Sequence, residues 1–298
     1  MEPGYGNETA AMKRYNDKVR VREHYDRVSP YYHSLWGEHL HHGYWIRGDE
    51  TKEKAQVQLI GHLAEAANIQ PGSKILDVGC GLGASCIYLA KNYSAEVTGI
   101  TISPVQVKMA NQAAVSEKAN AKVFLMDAEE MQFDHLFDVI WSVESVAHFP
   151  RREKFFAAAT RLLKPNGTLA IIDWFRKENL TPAEYRRFIQ PIEKGMLVVL
   201  QTMTDYEGSL SANGLKVSIR EVMNTNCVQT WELYLDIFKD KKVWERAARK
   251  GAEFTAFLKG LRPMRAAFSS GSFILGLMVA KKVYAPKKPG ANIRPPRC

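Results

Sequence analysis

The sequence predicts an α/β fold built on a mostly parallel sheet, and three observations carry that reading. Segments of β-branched and aliphatic residues alternate with helical patterns from Lys74 to Asp173, the signature of strands joined by crossover helices. Ile75-Leu-Asp-Val-Gly-Cys-Gly-Leu-Gly83 runs from an apolar strand straight into a glycine turn. At 298 residues and 46% hydrophobic content, the chain can bury one large core with an added cap, without a second independent domain.

In order, strands are expected near 74–78, 95–100, 121–126, 137–142 and 168–174, with helices near 83–92, 104–118 and 151–163. Pro71-Gly72 punctuates the entry to the first strand, and Lys164-Pro-Asn-Gly167 turns the chain into the fifth. Residues 178–212 read as helical, opened by Thr181 as N-cap and Pro182 as the first helical residue. They separate strand five from a sixth near 214–223. A helical segment over about 229–259 then precedes a last strand, Ser272 to Lys281. At the other end, Met12 to Leu63 holds a dense aromatic set, Tyr25, Tyr31, Tyr32, Trp36, Tyr44 and Trp45, which fits either core packing or a lid over a ligand. His33, His39, His41 and His42 share that stretch, but no cysteine or carboxylate spacing accompanies them, so no metal is expected.

The net charge of +9 invites a nucleic-acid partner, yet its distribution argues against one. From Lys281 onward the chain carries Lys281, Lys282, Lys287, Lys288, Arg294 and Arg297 without an acid, and the rest of it carries only +3. The proline- and lysine-rich tail from Ala285 to Cys298 is expected to stay disordered after the last strand. Lys241 to Arg265 is a second basic segment, helical in pattern, which suits a solvated face, an anionic substrate or a membrane surface. The longest apolar runs, Met196–Leu200 and Phe273–Ala280, fall far short of the roughly 20 residues that span a bilayer. Met1 to Ala11 lacks a basic start followed by an apolar core, so a secretory signal is not expected. Cys80, Cys86, Cys227 and Cys298 show no C-x-x-C spacing and read as reduced thiols in a cytoplasmic setting.

Chemistry concentrates at the strand ends. Gly79, Gly81 and Gly83 can take backbone angles closed to other residues and let the main chain approach a ligand. Asp77 ends the first strand, the second runs through Thr101 to Ser103, and the third ends in Asp127. In an open parallel sheet, ligands sit beyond the carboxyl ends of the strands near the topological switch, where these three segments converge. Position 84 is Ala, and the second strand ends in Thr101 rather than an acid, so the dinucleotide fingerprint G-x-G-x-x-G is not matched.

With these features the chain resembles the class I S-adenosylmethionine (SAM)-dependent methyltransferases. Trp36-Gly-Glu-His-Leu-His-His-Gly-Tyr-Trp45, Gly99-Ile-Thr-Ile-Ser-Pro-Val-Gln106, Trp141-Ser-Val-Glu-Ser-Val-Ala-His148 and Arg161-Leu-Leu-Lys-Pro-Asn-Gly167 are similar to the tocopherol O-methyltransferase-like group, with relatives among sterol C-methyltransferases and cyclopropane fatty acid synthases. The resemblance covers roughly residues 20–282. It implies a Rossmann-like sheet of seven strands with the last pair antiparallel. Its organisation would be an N-terminal helical lid (1–70), a SAM-binding core (71–175), a helical cap (176–213), the rest of the core sheet with an inserted helix (214–283) and the basic tail (284–298).

It also implies residue roles. Asp77, Gly79, Gly81 and Gly83 would line the methionine end of SAM. Thr101, Ser103 and Gln106 would replace an acid on the ribose hydroxyls, Asp127 and Ala128 would flank the adenine, and Trp141-Ser142 would end beneath the ligand. For the acceptor, His148 is the candidate base, with Asp173 to orient it or act itself, and Glu144 or Asp173 to stabilise a developing cation. Tyr25, Tyr32, Trp36, Tyr44 and Trp45 are candidate substrate contacts, since ring faces stabilise a sulfonium by roughly 0.5–2 kcal/mol. The expected activity is methylation of a hydrophobic aromatic or prenyl-bearing acceptor at O, N or C, with S-adenosylhomocysteine as product. Lipid or sterol C-methylation at a membrane surface is the alternative. An RNA methyltransferase is disfavoured because no Asn-Pro-Pro-Tyr-type segment ends strand four, and the intact glycine turn disfavours a non-catalytic scaffold.

Overall fold

The computed structural model describes residues 10–239, 241, 244–245 and 263–283. The expected disordered tail and most of the basic segment Lys241–Arg265 lie outside them.

Two helices open the chain, α1 (Ala10–Trp36) and α2 (Lys52–Ala66). Thr51 caps α2 by accepting from the Lys54 amide at 3.3 Å, which satisfies one of the orphan donors of the first turn. Then follow β1 (Lys74–Val78), α3 (Ala84–Tyr93), β2 (Glu96–Thr101), α4 (Pro104–Ser116), β3 (Ala121–Leu125) and β4 (Phe137–Val143). A 3-10 turn (Val146–His148), α5 (Arg152–Leu162) and β5 (Leu163–Arg176) complete the first half. Each strand and helix lies within a few residues of its expected place. β5 is the longest departure, because Leu163 already pairs with Phe137 and its far end pairs along β7 (Phe273–Lys282) as far as Arg176.

The described strands form one seven-stranded sheet in the order β3-β2-β1-β4-β5-β7-β6, with β6 at Leu215–Val222. β1 to β5 run parallel, and β7 runs antiparallel to both β5 and β6. Chain order reverses between β1 and β4, so the crevice opens where Val78 and Val143 end those strands. Adjacent residues of a strand face opposite sides. Ile75, Val139 and Trp141 therefore pack in one apolar cluster with Leu59, Leu63 and Leu89. Leu76, Ile140 and Ile171 pack in a second with Phe155, Phe156 and Tyr206.

The cap, read as helical over 178–212, is helical in separate pieces. It consists of α6 (Pro182–Glu184), a π turn (Tyr185–Ile189), α7 (Gln190–Met196) and, after a break, α8 (Met203–Ala212). Leu197 takes a left-handed φ of 56° and stops α7. The apolar residues that follow are used differently: Val198 and Leu200 bury, and the Val199 amide donates to the Ala147 carbonyl at 3.1 Å. Thr202 then restarts the helix with a capping box to Asp205. Beyond β6 lie α9 (Asn224–Cys227) and α10 (Gln229–Lys239).

Candidate active site

One cavity, with about 1450 Å³ of free space including its mouth, runs across the carboxyl ends of β1, β2 and β4 and beneath α1 and α10. Asp77, Gly79, Gly81, Thr101, Gln106, Asp127 and Ala128 line one end. Tyr25, His42, Glu144, His148, Trp174, Trp231 and Tyr234 line the other.

The glycine turn divides its labour. Gly79 and Gly81 take φ of 74° and 54°, open to residues without a Cβ. A Cβ at Gly79 would lie 2.4 Å from Ser145 Oγ, whereas at Gly81 it would meet nothing within 4 Å. Gly81 thus leaves open space on the cavity wall. Gly83, also at positive φ, is off that wall: its Cβ would lie 2.9 Å from Ala110 Cβ, so it lets α3 approach α4. Asp77 is buried, and among the described residues its side-chain partner is a thiol, Cys86 Sγ donating to Oδ2 at 3.2 Å. Burial pushes its carboxyl up to about 7, and the thiol bond offsets that only in part.

Around the second and third strand ends, α1 reaches down onto the expected nucleoside residues. Lys18 Nζ lies 2.5 Å from both Asp127 Oδ2 and Glu129 Oε2, and Arg151 Nε donates to the same Glu129 oxygen at 2.8 Å. Thr101 Oγ1 donates to Gln106 Oε1 at 2.7 Å, and Gln106 Nε2 donates to Ser29 Oγ at 3.1 Å. Ser103 stands behind the wall, capping α4 while its hydroxyl donates to Asp26 Oδ1 at 2.5 Å. Ser142 is likewise a brace, donating to the Val78 carbonyl at 3.0 Å.

At the other end, Glu144 follows β4 with a left-handed φ of 49°. Its Oε1 accepts from the His42 amide at 2.8 Å, and its Oε2 accepts from His42 Nδ1 at 2.9 Å and Trp174 Nε1 at 2.7 Å. Burial acts to raise its pKa, but the electrostatic attraction of His42 and the hydrogen bonds it donates outweigh burial and hold the carboxyl below its ordinary value. His148 Nδ1 lies 3.1 Å from the Leu197 carbonyl, so that nitrogen carries the proton, and Nε2 accepts from Tyr25 Oη at 3.0 Å. Burial pulls the His148 imidazole down to about 4 and pushes the Tyr25 phenol up. The pair is therefore a neutral ring accepting from an intact phenol.

Asp173 is not brought to this cavity. Its neighbour Trp174 faces Glu144, so strand alternation turns Asp173 to the opposite side of the sheet. There Tyr206 Oη donates to its Oδ2 at 2.7 Å, and burial raises its carboxyl to about 7. Trp36, Tyr44 and Trp45 also stand off the cavity. Trp36 stacks on Tyr234 with centroids 4.0 Å apart, Tyr44 stacks on His62, and Trp45 Nε1 donates to the Glu50 carbonyl at 3.0 Å. The Tyr32 side chain lies outside the described residues.

The Trp36–Trp45 segment instead works as a strap. Gln56 Nε2 donates to the His39 and His41 carbonyls, the Gly43 amide donates to Thr230 Oγ1 at 3.1 Å, and the Trp45 amide donates to the Asn226 carbonyl. It delivers His42 to Glu144. His42, Trp174, Trp231, Tyr234 and Lys18 were not among the expected site residues. A weak signal did exist for one pair: Trp231 and Tyr234 are three apart on a helix and so share a face.

Residues 12–275 match the protein family described as mycolic acid cyclopropane synthetase. Over 255 residues the chain is 30% identical to 27-O-demethylrifamycin SV methyltransferase of Amycolatopsis mediterranei (strain S699), covering 84% of this chain and 93% of that one. It is 34% identical over 192 residues to the chloroplastic tocopherol O-methyltransferase of Arabidopsis thaliana, spanning 59% of this chain and about half (54%) of that relative. The solved structure of mycolic acid cyclopropane synthase CmaA1 complexed with SAH and CTAB shares the fold, with a TM-score of 0.80 at 24% identity over 89% of this chain and 98% of that one.

Proposed function

The chain belongs to the mycolic acid cyclopropane synthetase family, and from that premise we propose how its cavity performs methyl transfer and on what. As a member of this group it is a SAM-dependent methyltransferase with hydrophobic small molecules as acceptors. Placement of SAM in the cavity rests on fit. Gly81 leaves a wall with no side chain, and among the described residues the buried Asp77 carboxyl has no cationic partner, which suits an amino group. Asp127 and Ala128 border an apolar slot with Ile100, Ile102 and Met126 that suits an adenine. When bound, SAM supplies an electrophilic methyl on a sulfonium.

The protein's own contribution is positioning and exclusion of water. Effective molarities for well-oriented groups correspond to about 7–11 kcal/mol. α1 covers the cavity through Lys18, Ser29 and Tyr25, and the aromatic rings of Trp174, Trp231 and Tyr234 hold the acceptor. The acceptor in this reading is an aromatic or prenyl-bearing natural product, modified in the cytoplasm without a nucleic-acid partner. No helix among the described residues is long and apolar enough to cross a membrane. Lipid C-methylation at a membrane surface is a second reading, favoured by the placement of the Glu144 carboxylate beside Trp174, where a cation on carbon would be stabilised.

The observation that carries the proposal is that one cavity joins the glycine turn to a carboxylate, a tyrosine–histidine pair and an aromatic wall. Titration calorimetry with SAM, followed by mass spectrometry of a metabolite extract incubated with deuterated SAM, tests it. Binding and a labelled product are expected; the absence of SAM binding at millimolar concentration overturns the proposal. Liposome co-sedimentation at low salt separates the two acceptor classes.

A further inference from the structure

His42 holds a buried nitrogen that the reading above leaves unused. Its Nδ1 faces Glu144 Oε2 at 2.9 Å, and that carboxylate also accepts the His42 amide and the Trp174 indole. An ionised carboxylate only accepts, so Nδ1 carries the proton, and in the neutral ring Nε2 carries the lone pair. Among the described residues, Nε2 is buried with no hydrogen-bond partner. Native structures leave few such atoms, and each asks for a ligand, water or chemical role. The ring itself lines the cavity and lies among Trp231, Phe268 and Trp174, with centroids 5.0, 5.9 and 6.3 Å away.

His148 offers no comparable nitrogen. Its Nδ1 is committed to the Leu197 carbonyl and its Nε2 to the Tyr25 hydroxyl. Position completes the contrast. Glu144 precedes Ser145, whose side chain abuts Gly79 of the cofactor turn, so the His42–Glu144 pair adjoins the methionine end of the cavity. A base must stand where the acceptor atom meets the methyl.

We propose that His42, oriented by Glu144, is the general base of this enzyme, and that its acceptor is a phenolic or hydroquinone-type hydroxyl seated between Trp174 and Trp231. His42 Nε2 takes the hydroxyl proton as the oxygen–carbon bond forms and the carbon–sulfur bond breaks, with the bond pair leaving on sulfur. The product is a methyl ether, and the proton rests on an imidazolium paired with the Glu144 carboxylate. A plane of aromatic rings and one proton acceptor match a phenol, which gives up its proton as the methyl arrives, whereas an alkene gives one up only afterwards, from the cation that methylation leaves. This inference rests on the methyl-transfer reading above.

The test uses the full chain, SAM and a graded series of phenols from para-cresol to para-nitrophenol, with methyl ether quantified by mass spectrometry and SAM binding measured separately by calorimetry. For His42→Asn the rate on para-cresol is expected to fall about 10²–10⁴-fold, while para-nitrophenol, ionised before it binds, loses about tenfold or less. Glu144→Gln should give the same graded pattern with a smaller amplitude, and His148→Asn a loss that is uniform across the series. A uniform loss for His42→Asn, no loss, or no phenol methylated by SAM-bound wild type overturns the proposal. Wild type that binds no SAM overturns the methyl-transfer reading instead. Should the variants not fold, nitrogen NMR of labelled histidine in the wild type reads the same claim. One ring with a free Nε2 should shift when para-cresol is added, and no shift overturns it.

Discussion

The two ends of the cavity were built in different ways. The end proposed for the nucleoside is made by short segments, the turn after β1 and the tips of β2 and β3, each of which positions its own residues. The end proposed for the acceptor is assembled from α1, the 39–42 strap, the end of β4 with the 3-10 turn behind it, β5 and α10, five places far apart in the chain. The first can be damaged by a single added side-chain carbon. The second has several independent supports, and each can be removed for a graded cost.

The sharpest way to break that contrast is Gly79→Ala. A Cβ there would lie 2.4 Å from Ser145 Oγ and 2.5 Å from its Cβ, on a backbone at φ 74°. Overpacking by about 1–3 kcal/mol added to about 1–2 kcal/mol of left-handed strain predicts SAM binding weaker by roughly three orders of magnitude. Gly81→Ala carries only the strain, since nothing lies within 4 Å of its Cβ position. Calorimetry should separate the two by on the order of 100-fold. Equal losses would mean that backbone angle, not the Ser145 contact, governs the turn.

Legibility in the sequence followed the same division. Asp77, Gly79, Gly81 and Asp127 could be read as cavity-wall residues because strand end and turn are contiguous in the chain. Gly83 and Ser103 look alike in sequence yet serve packing and capping, a distinction set by Ala110 and Asp26 from other elements. The aromatic cluster was visible, but its orientation was not. Trp36 and Trp45 bury behind the cavity wall, and rings that line it beside Tyr25 come from β5 and α10, Trp174, Trp231 and Tyr234 among them. Asp173 failed through one residue of strand parity, since a period of two sends neighbours to opposite faces.

That parity makes a second prediction, of stability rather than turnover. Burial raises the Asp173 carboxyl to about 7, above its unfolded value of 3.8. Stability from such a group is complete below the unfolded pKa and is lost as pH rises through 7. Asp173→Asn should therefore match wild type near the unfolded pKa and exceed it at pH above 7 by up to about 4 kcal/mol, at 1.36 kcal/mol per unit. Its kcat should be unchanged. Denaturant melts across pH check the first part, and a fall in kcat would restore Asp173 to the acceptor end.

Arg152 tests the support beneath His148. Its guanidinium donates to the carbonyls of Val146, Ala147 and Val199, clamping the 3-10 turn to the cap segment that supplies Leu197 to His148. Lysine keeps the charge but cannot fork to three carbonyls. Arg152→Lys is expected to cost about 2 kcal/mol of stability and to lower kcat with little change in SAM affinity. A parallel loss of SAM binding would show that the two ends are one unit.

The smallest expected effect, from Tyr25→Phe, bears most directly on that independence. Burial raises the Tyr25 phenol and lowers His148 to about 4, so the hydroxyl is a fixed donor to a neutral ring across the physiological range. Removing it strands a buried nitrogen at a cost of about 1 kcal/mol. α1 keeps its other anchors: Lys18 on Asp127 and Glu129, Asp26 on Ser103, and Ser29 on Gln106. All three sit at the nucleoside end, so SAM affinity should hold while kcat falls about fivefold, the turnover equivalent of that 1 kcal/mol. If SAM binding weakens with it, α1 closes both ends as a single rigid lid, and the division between a locally built half and an assembled half does not survive.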